Sequence, residues 1–209
     1  MNADIANNSI NLVGQVISGF TFSHEIHGEG FYNIKLAIQR LSGEIDLLPV
    51  LVSDRLLDVS HDYSGQVIQV LGQYRSSNVC KGDKKGLYLY AFAREIYLLR
   101  PDLVDATKSN TITLKGFVCK TPVFRETPRG RIITDLLLAV NRSYGKSDYI
   151  PCVVWGRDAG YAADLLVSTA IEITGRIQSR QYQKRLEDGT VETRTAYEVS
   201  CSKINLIQE

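Results

Sequence analysis

The chain has 209 residues, more than one average domain of ~150. Hydrophobic residues make up 44% and charged residues 22%, proportions that support a buried core, and the net charge is only +1. A balance of 24 Lys+Arg against 23 Asp+Glu speaks against nucleic-acid binding only if the charge is spread evenly. No apolar run approaches the ~18 residues of a membrane span. The first residues, MNADIANNSINL, lack the basic and apolar regions of a secretory signal. Cys80, Cys119, Cys152 and Cys201 form no C-x-x-C pair, and His24, His27 and His61 complete no metal spacing. Free thiols in a reducing cytoplasm, with no metal and no cofactor, are expected.

In chain order, the first strand-like segment, NSINLVGQV at 8–16, returns as NTITLKGFV at 110–118. The offset of 102 persists. Phe22 and Gly28 match Phe124 and Gly130, and LAIQR at 36–40 matches LAVNR at 138–142. Gly43, Asp46, Pro49 and Val52 match Gly145, Asp148, Pro151 and Val154. Beyond that the offset grows by one, so Gly72 and Ser76 match Gly175 and Ser179. Near the end it is 108, with Ile96 and Leu98 matching Ile204 and Leu206. The extra residues fall at a hairpin tip, where insertions are tolerated. A period near 100 suits a small domain, not a solenoid unit. The expected division is a domain at 1–100, a linker at 101–109 around Pro101, and a second domain at 110–209.

In the second half, Val, Ile, Thr and Tyr mark strands near 111–120, 131–142, 149–155, 170–182 and 193–207. Glu187-Asp188-Gly189 marks a hairpin tip. Between the third and fourth strands, Asp158 can cap a short helix through Ala162, Leu165 and Leu166. The repeat places a matching helix at Ser53, Leu56 and Leu57. An all-β protein of two tandem five-stranded Greek-key (OB-fold) barrels follows, each with one short helix between strands 3 and 4.

Strand residues alternate faces. In 149–155 one face carries Tyr149, Pro151, Val153 and Trp155, the other Ile150, Cys152 and Val154. In 170–182 one face carries Arg176, Gln178, Arg180 and Tyr182. Basic side chains interleaved with aromatics suit single-stranded nucleic acid, since any base can stack and the cations meet phosphates. A core position is the commoner fate of any single Tyr. Four aromatics on the polar parity or in basic loops weigh the other way. Charge also divides unevenly: residues 1–107 hold 9 Lys+Arg and 12 Asp+Glu, net −3, while 108–209 hold 15 and 11, net +4.

NTITLKGFV, ETPRGRIITDLLLAVNRSYG, SDYIPCVVWGRDAGYAADLL, IEITGRIQSRQY and AYEVSCSKI resemble, in order and spacing, the bacterial single-stranded DNA-binding protein family. The resemblance covers about residues 108–207; the first half shares the skeleton mainly through the repeat. It implies a non-enzymatic OB fold that wraps single-stranded DNA around four barrels, here a homodimer. It implies stacking at Tyr144, Tyr149, Trp155 and Tyr182, three of which are commonly Trp in the family. Phosphate contacts are implied at Arg125, Arg129, Arg131, Arg142, Arg157, Arg176, Arg180 and Lys184, with Arg142, Arg176 and Arg180 foremost. A bacterial, cytoplasmic, nucleoid-associated protein of replication, repair or recombination is expected. The family's acidic C-terminal tip has no counterpart after Asn205, so partner recruitment through it is not expected.

In the first half the four stacking positions become Ser42, Leu47, Ser53 and Val79. Arg176 and Arg180 become Gln73 and Ser77, while Arg142 and Arg157 persist as Arg40 and Arg55. A mainly architectural first barrel with a degenerate binding face is expected, with Leu47 and Leu51 as a possible protein contact. Two other functions fit the same residues: a replisome or primosome adaptor, and an RNA-binding OB module.

Overall fold

The computed structural model describes residues 7–81, 84–186 and 189–207. The first half contributes six strands: β1 (Asn8–Val16), β2 (Thr21–Ile26), β3 (Glu29–Gln39), β4 (Ile45–Ser53), β5 (Val67–Lys81) and β6 (Lys84–Leu99). The second contributes β7 (Asn110–Val118), β8 (Val123–Glu126), β9 (Ile132–Asn141), β10 (Ser147–Trp155), β11 (Ala170–Arg185) and β12 (Val191–Leu206). A 3-10 turn at Pro101–Leu103 lies between β6 and β7.

Strand order explains the sequence repeat. The hydrogen-bonded sequence is β2-β3-β4-β6-β5-β1-β7-β11-β12-β10-β9-β8, which reads alike from either end when each strand is replaced by its repeat partner. The further pairings β1–β3 and β7–β9 close each half into a barrel. These are two tandem OB barrels; β2 and β8 are short extra strands against β3 and β9. Alternation fills the interiors with Leu12, Leu36, Val50 and Val70 in one barrel and with Leu114, Leu138, Ile150 and Ile173 in the other, all fully buried.

Closure brings strands close at one repeated point. Ladder irregularities fall between Leu71 and Gly72 and between Thr174 and Gly175. A Cβ at Gly72 would lie 2.0 Å from the Phe92 carbonyl oxygen, and one at Gly175 2.2 Å from that of Ser200. Only glycine fits such backbone contact.

The helices differ between the halves. In the second, α1 (Arg157–Ala163) buries Ala159 and Ala162. Its N-cap is Gly156 at φ +63°, so Asp158 sits inside the first turn rather than capping. There its charge still favours the helix dipole. In the first half, the helix expected at 53–57 is a turn, closed by the Leu56 N–H donating to the Ser53 carbonyl. Where the second half has Ala-rich sequence, the first has Asp58 and Asp62. These carboxylates accept from the Ser60 and Ser64 N–H groups. Such local bonds compete with helix formation.

The barrels join through β1 and β7, which pair antiparallel with Ile10 opposite Ile112 at the centre. Those two residues are repeat equivalents, so the junction has a pseudo-two-fold axis, a two-fold interface within one chain. Its central side-chain contacts occur twice. Asn8 donates to the Tyr74 carbonyl (2.8 Å) and accepts from its N–H; Asn110 does the same with Ile177. Arg40 binds Asp46 through Nε (2.8 Å) and Nη2 (2.6 Å) and reaches the Ser179 carbonyl of the other barrel. Ser179 answers through its N–H to Asp46 (2.6 Å), and its Oγ accepts the Leu47 N–H (3.0 Å). In the mirror image Arg142 binds Asp148 and the Ser76 carbonyl. The Ser76 N–H donates to Asp148, and its Oγ accepts the Tyr149 N–H. Asp46 and Asp148 are 0% and 1% exposed.

A buried carboxylate with satisfied partners is tolerated; one partner removed is costly. Asp148→Ala should therefore destabilise the chain by about 3–5 kcal/mol, read from urea denaturation. Arg125→Ala, which breaks an exposed pair, should cost under about 1 kcal/mol. Equal small losses would mean the clamp contributes little.

Candidate nucleic-acid interface

The outer face of the second barrel is assembled by strand register. Directly paired residues share a face. Arg125 on β8 lies opposite Ile133 on β9, which lies opposite Trp155 on β10. Val153 pairs with Ser200 on β12, and Ser200 with Arg176 on β11. Farther along, Arg180 pairs with Ala196 and Tyr182 with Arg194. Tyr149, Trp155, Arg176, Arg180, Tyr182 and Lys184 therefore occupy one face.

Exposure separates the aromatics. Tyr149 and Tyr182 are 44% and 37% exposed. Trp155 is half-buried, and its indole N–H is buried without an acceptor. The Tyr144 backbone lies in a 3-10 turn at Ser143–Gly145; its side chain lies outside the described residues.

The arginines fall into three groups. Arg129, Arg131, Arg157, Arg180 and Lys184 are exposed and take part in no salt bridge among the described residues. Arg180 extends over Tyr182, 5.9 Å from the ring centre. Arg125 is held by Asp135 through two bonds, which raise its pKa further. Arg142 is committed to Asp148 and the Ser76 carbonyl at the junction; the Asp148 hydrogen bond outweighs burial and raises its pKa. Its persistence as Arg40 in the first half has the same architectural cause. Arg176 lies over the junction too, lining a cleft of about 300 Å³ with Arg40, Asp46 and Asn110.

One difference between the halves concentrates positive charge. In the first barrel Arg55 pairs with Glu29 at 3.3 Å, and Ser53 donates to the same carboxylate. At the equivalent positions of the second barrel stand Arg157, Arg131 and Trp155. The carboxylate is replaced by a second cation and the hydroxyl by an indole. That end of the barrel carries two exposed arginines, in no salt bridge among the described residues, beside a large aromatic.

The first barrel's outer face is less bare than its sequence suggests. Leu47 is 39% exposed and its N–H bonds Ser179 at the junction. Leu51 is only 6% exposed and cannot serve as a surface contact as expected. It lies in register with Phe92 on β6, on a face covered by larger side chains. His24 stacks on Phe31 (5.0 Å, 12°), and Phe31 on Phe92 (6.1 Å, 28°). Arg75 sits 3.9 Å and Arg94 5.1 Å from the Phe92 ring centre. Tyr88 and Tyr90 stack on each other at 5.5 Å, whereas Tyr74 is wholly buried. Phe31 and Phe92 lie off the positions equivalent to the second barrel's four aromatics, so the repeat does not point to them. The signal was present: Phe31 shares the parity of Asn33, and Phe92 that of Tyr88 and Tyr90. The lysine-bearing segment 81–86 and the hairpin tip expected at 187–189 include residues outside the described ones.

The tandem OB fold is shared with a solved structure. Wild-type single-stranded DNA binding protein from Thermus aquaticus superimposes with a TM-score of 0.73 at 19% identity, covering 97% of this chain and 93% of that one. In sequence, residues 109–207 match the model of the Single-strand binding protein family. Curated relatives agree. Single-stranded DNA-binding protein of Clostridium tetani is 39% identical over 88 residues, covering 39% of this chain and 59% of that protein. Single-stranded DNA-binding protein A of Bacillus subtilis is 34% identical over 83 residues, covering 36% and 48%. The chain spans about half the length of the curated relatives it matches.

Leu51→Asp should cost several kcal/mol, because a charge is forced into a covered site. Leu47→Asp should stay within about 1 kcal/mol at its exposed position. Urea midpoints of the two variants distinguish a buried Leu51 from a surface one.

Proposed function

We propose that the chain binds single-stranded DNA without sequence preference, mainly through the outer face of the second barrel, and protects it during replication, repair or recombination on the bacterial nucleoid. The reading involves no catalytic step. The observation that carries it is the set of exposed arginines Arg129, Arg131 and Arg157, in no salt bridge among the described residues, on the segments flanking the Trp155 end of the barrel. Tyr149 and Tyr182 continue the same face as exposed stacking surfaces. Bases present a π-face whatever their identity, so these rings hold the strand, while Arg180 and Lys184 along β11 meet its phosphates. Arg142 lies at the junction and acts chiefly on the placement of Tyr149 and of the two barrels, while Arg176 shares the outer face and meets phosphate from the rim of the junction cleft.

The active unit in this reading is a homodimer with four barrels. Support comes from the face of the central strands turned away from the cores. Val13, Leu71, Tyr97 and Phe117 lie there among polar residues, Tyr97 and Phe117 being 47% and 42% exposed. A second copy is a natural cover for such a surface. Sedimentation equilibrium should give twice the chain mass; a stable monomer at micromolar concentration contradicts the dimer.

The single Trp provides the main test. Titration with oligo-dT should quench Trp155 fluorescence, and Tyr182→Ala should weaken binding by ~1–3 kcal/mol. Each phosphate contact contributes about −0.7 to the salt slope for a single strand. Replacing Arg129, Arg131 and Arg157 together by Ala should therefore flatten log K against log salt by about two units. Absence of binding at low salt defeats the proposal. An equal-length RNA oligomer competing as well as DNA would redirect it to RNA.

A further inference from the structure

The geometry points to a second single-stranded DNA platform on the first barrel, built from residues that have no counterparts in the second barrel's binding face. The inference rests on the DNA-binding reading above and adds a site to it.

The two outer faces are equivalent in backbone and differ in where the aromatics stand. On the second barrel they sit on β10 and β11, at Tyr149, Trp155 and Tyr182. On the first, those strands carry Leu47, Ser53 and Val79 at the equivalent places. The rings have moved to the flanking strands. Phe31 on β3 lies where the second barrel has Ile133. Phe92 on β6 lies where it has Ser200, and Tyr90 where it has Glu198. Register confirms one face: Phe31 pairs with Ser53, Leu51 with Phe92, Gln73 with Phe92, Arg75 with Tyr90, and Ser77 with Tyr88.

The charges differ from ordinary surface arginines. Neither Arg75 nor Arg94 takes part in a salt bridge among the described residues; both reach only Gln73, at 2.7 and 3.5 Å. The Arg75 Nε–H is buried without an acceptor. Burial lowers the Arg75 pKa, and so do the nearby charges of Arg142 and Arg94. The weaker attraction of Asp148, which is already bonded to Arg142, does not cancel this, and an added anion would offset it. The stack His24–Phe31–Phe92–Arg75 is a rigid base under them. It leaves the His24 ring, the Arg94 guanidinium and the Tyr88 ring at the surface. Planar guanidinium and aromatic groups are what an unpaired base stacks on, and the cations match its phosphate.

Position makes the platform useful. Ser76, between Arg75 and Ser77, bonds the Tyr149 N–H and Asp148 of the second barrel. Arg142 interacts with both Arg75 and Tyr90. Tyr149, at the end of the second barrel's face, therefore adjoins the strand pair carrying Tyr88 and Tyr90. A strand leaving the second barrel at Tyr149 can pass directly onto the first. The occupant fitted by both parts is one continuous single strand.

The test uses the full chain, with oligo-dT of two lengths and Trp155 fluorescence as the report from the second barrel. A triple variant, His24→Ala, Tyr88→Ala and Arg94→Ala, alters only exposed side chains. Affinity for a short oligomer that fills the second barrel should be unchanged. Affinity for a long oligomer should fall about 10- to 100-fold, and the occluded length on poly-dT should shrink. Equal affinities of parent and variant for the long oligomer, with Trp155 still quenched, overturn this inference and leave the second barrel's function standing. Failure of both proteins to quench on either oligomer overturns the DNA-binding reading itself.

Discussion

The structure depends on a reciprocal clamp across the β1–β7 junction. Two buried carboxylates, Asp46 and Asp148, each accept an arginine from their own barrel and a backbone N–H from the other. Neither carboxylate would be tolerable alone in that setting. Paired as they are, they fix the two barrels at one angle and one register. The outer faces on either side inherit their relation from this junction. Because Tyr149 follows Asp148 and its own N–H joins the clamp, the end of the second barrel's face is positioned by the same bonds.

Duplication explains how such a junction arises in one chain. A two-fold contact between identical barrels needs only one complementary patch, used twice. Once both copies share a chain, each keeps the residues of the patch. Asn8 and Asn110, Arg40 and Arg142, and Ser76 and Ser179 are such pairs. The outer faces carry no such constraint, and they have diverged in charge and in the placement of aromatics. The first half has net charge −3 and the second +4. At the strand end, Glu29 neutralises Arg55 in one copy while Arg131 stands beside Arg157's position in the other. The near-zero total is therefore a cancellation between two different surfaces.

Much of the fold was legible in the sequence because alternation and repetition are backbone properties. The fully buried Ile150, Cys152 and Val154 follow from period-two spacing alone. The helix at 53–57 misled because the repeat carries topology, not propensity, and Asp58 and Asp62 bond the backbone locally. The clamp was half legible: Arg142 persists as Arg40, and each has an aspartate six residues later. That spacing was readable; the partner strand supplying Ser76, far along the chain, was not. For the Phe31–Phe92 layer the parity of each strand was readable, but only the fold brings β3 and β6 to opposite sides of β4.

The most direct test of the account is to map where a bound strand lies. The full chain would be photo-crosslinked to a long oligo-dT carrying 4-thiothymine, and the modified residues identified by mass spectrometry. The account predicts crosslinks at Tyr149, Trp155 and Tyr182, continuing onto Tyr88 and His24. Crosslinks confined to the opposite side of the sheet, around Val13, Leu71 and Thr113, would contradict it.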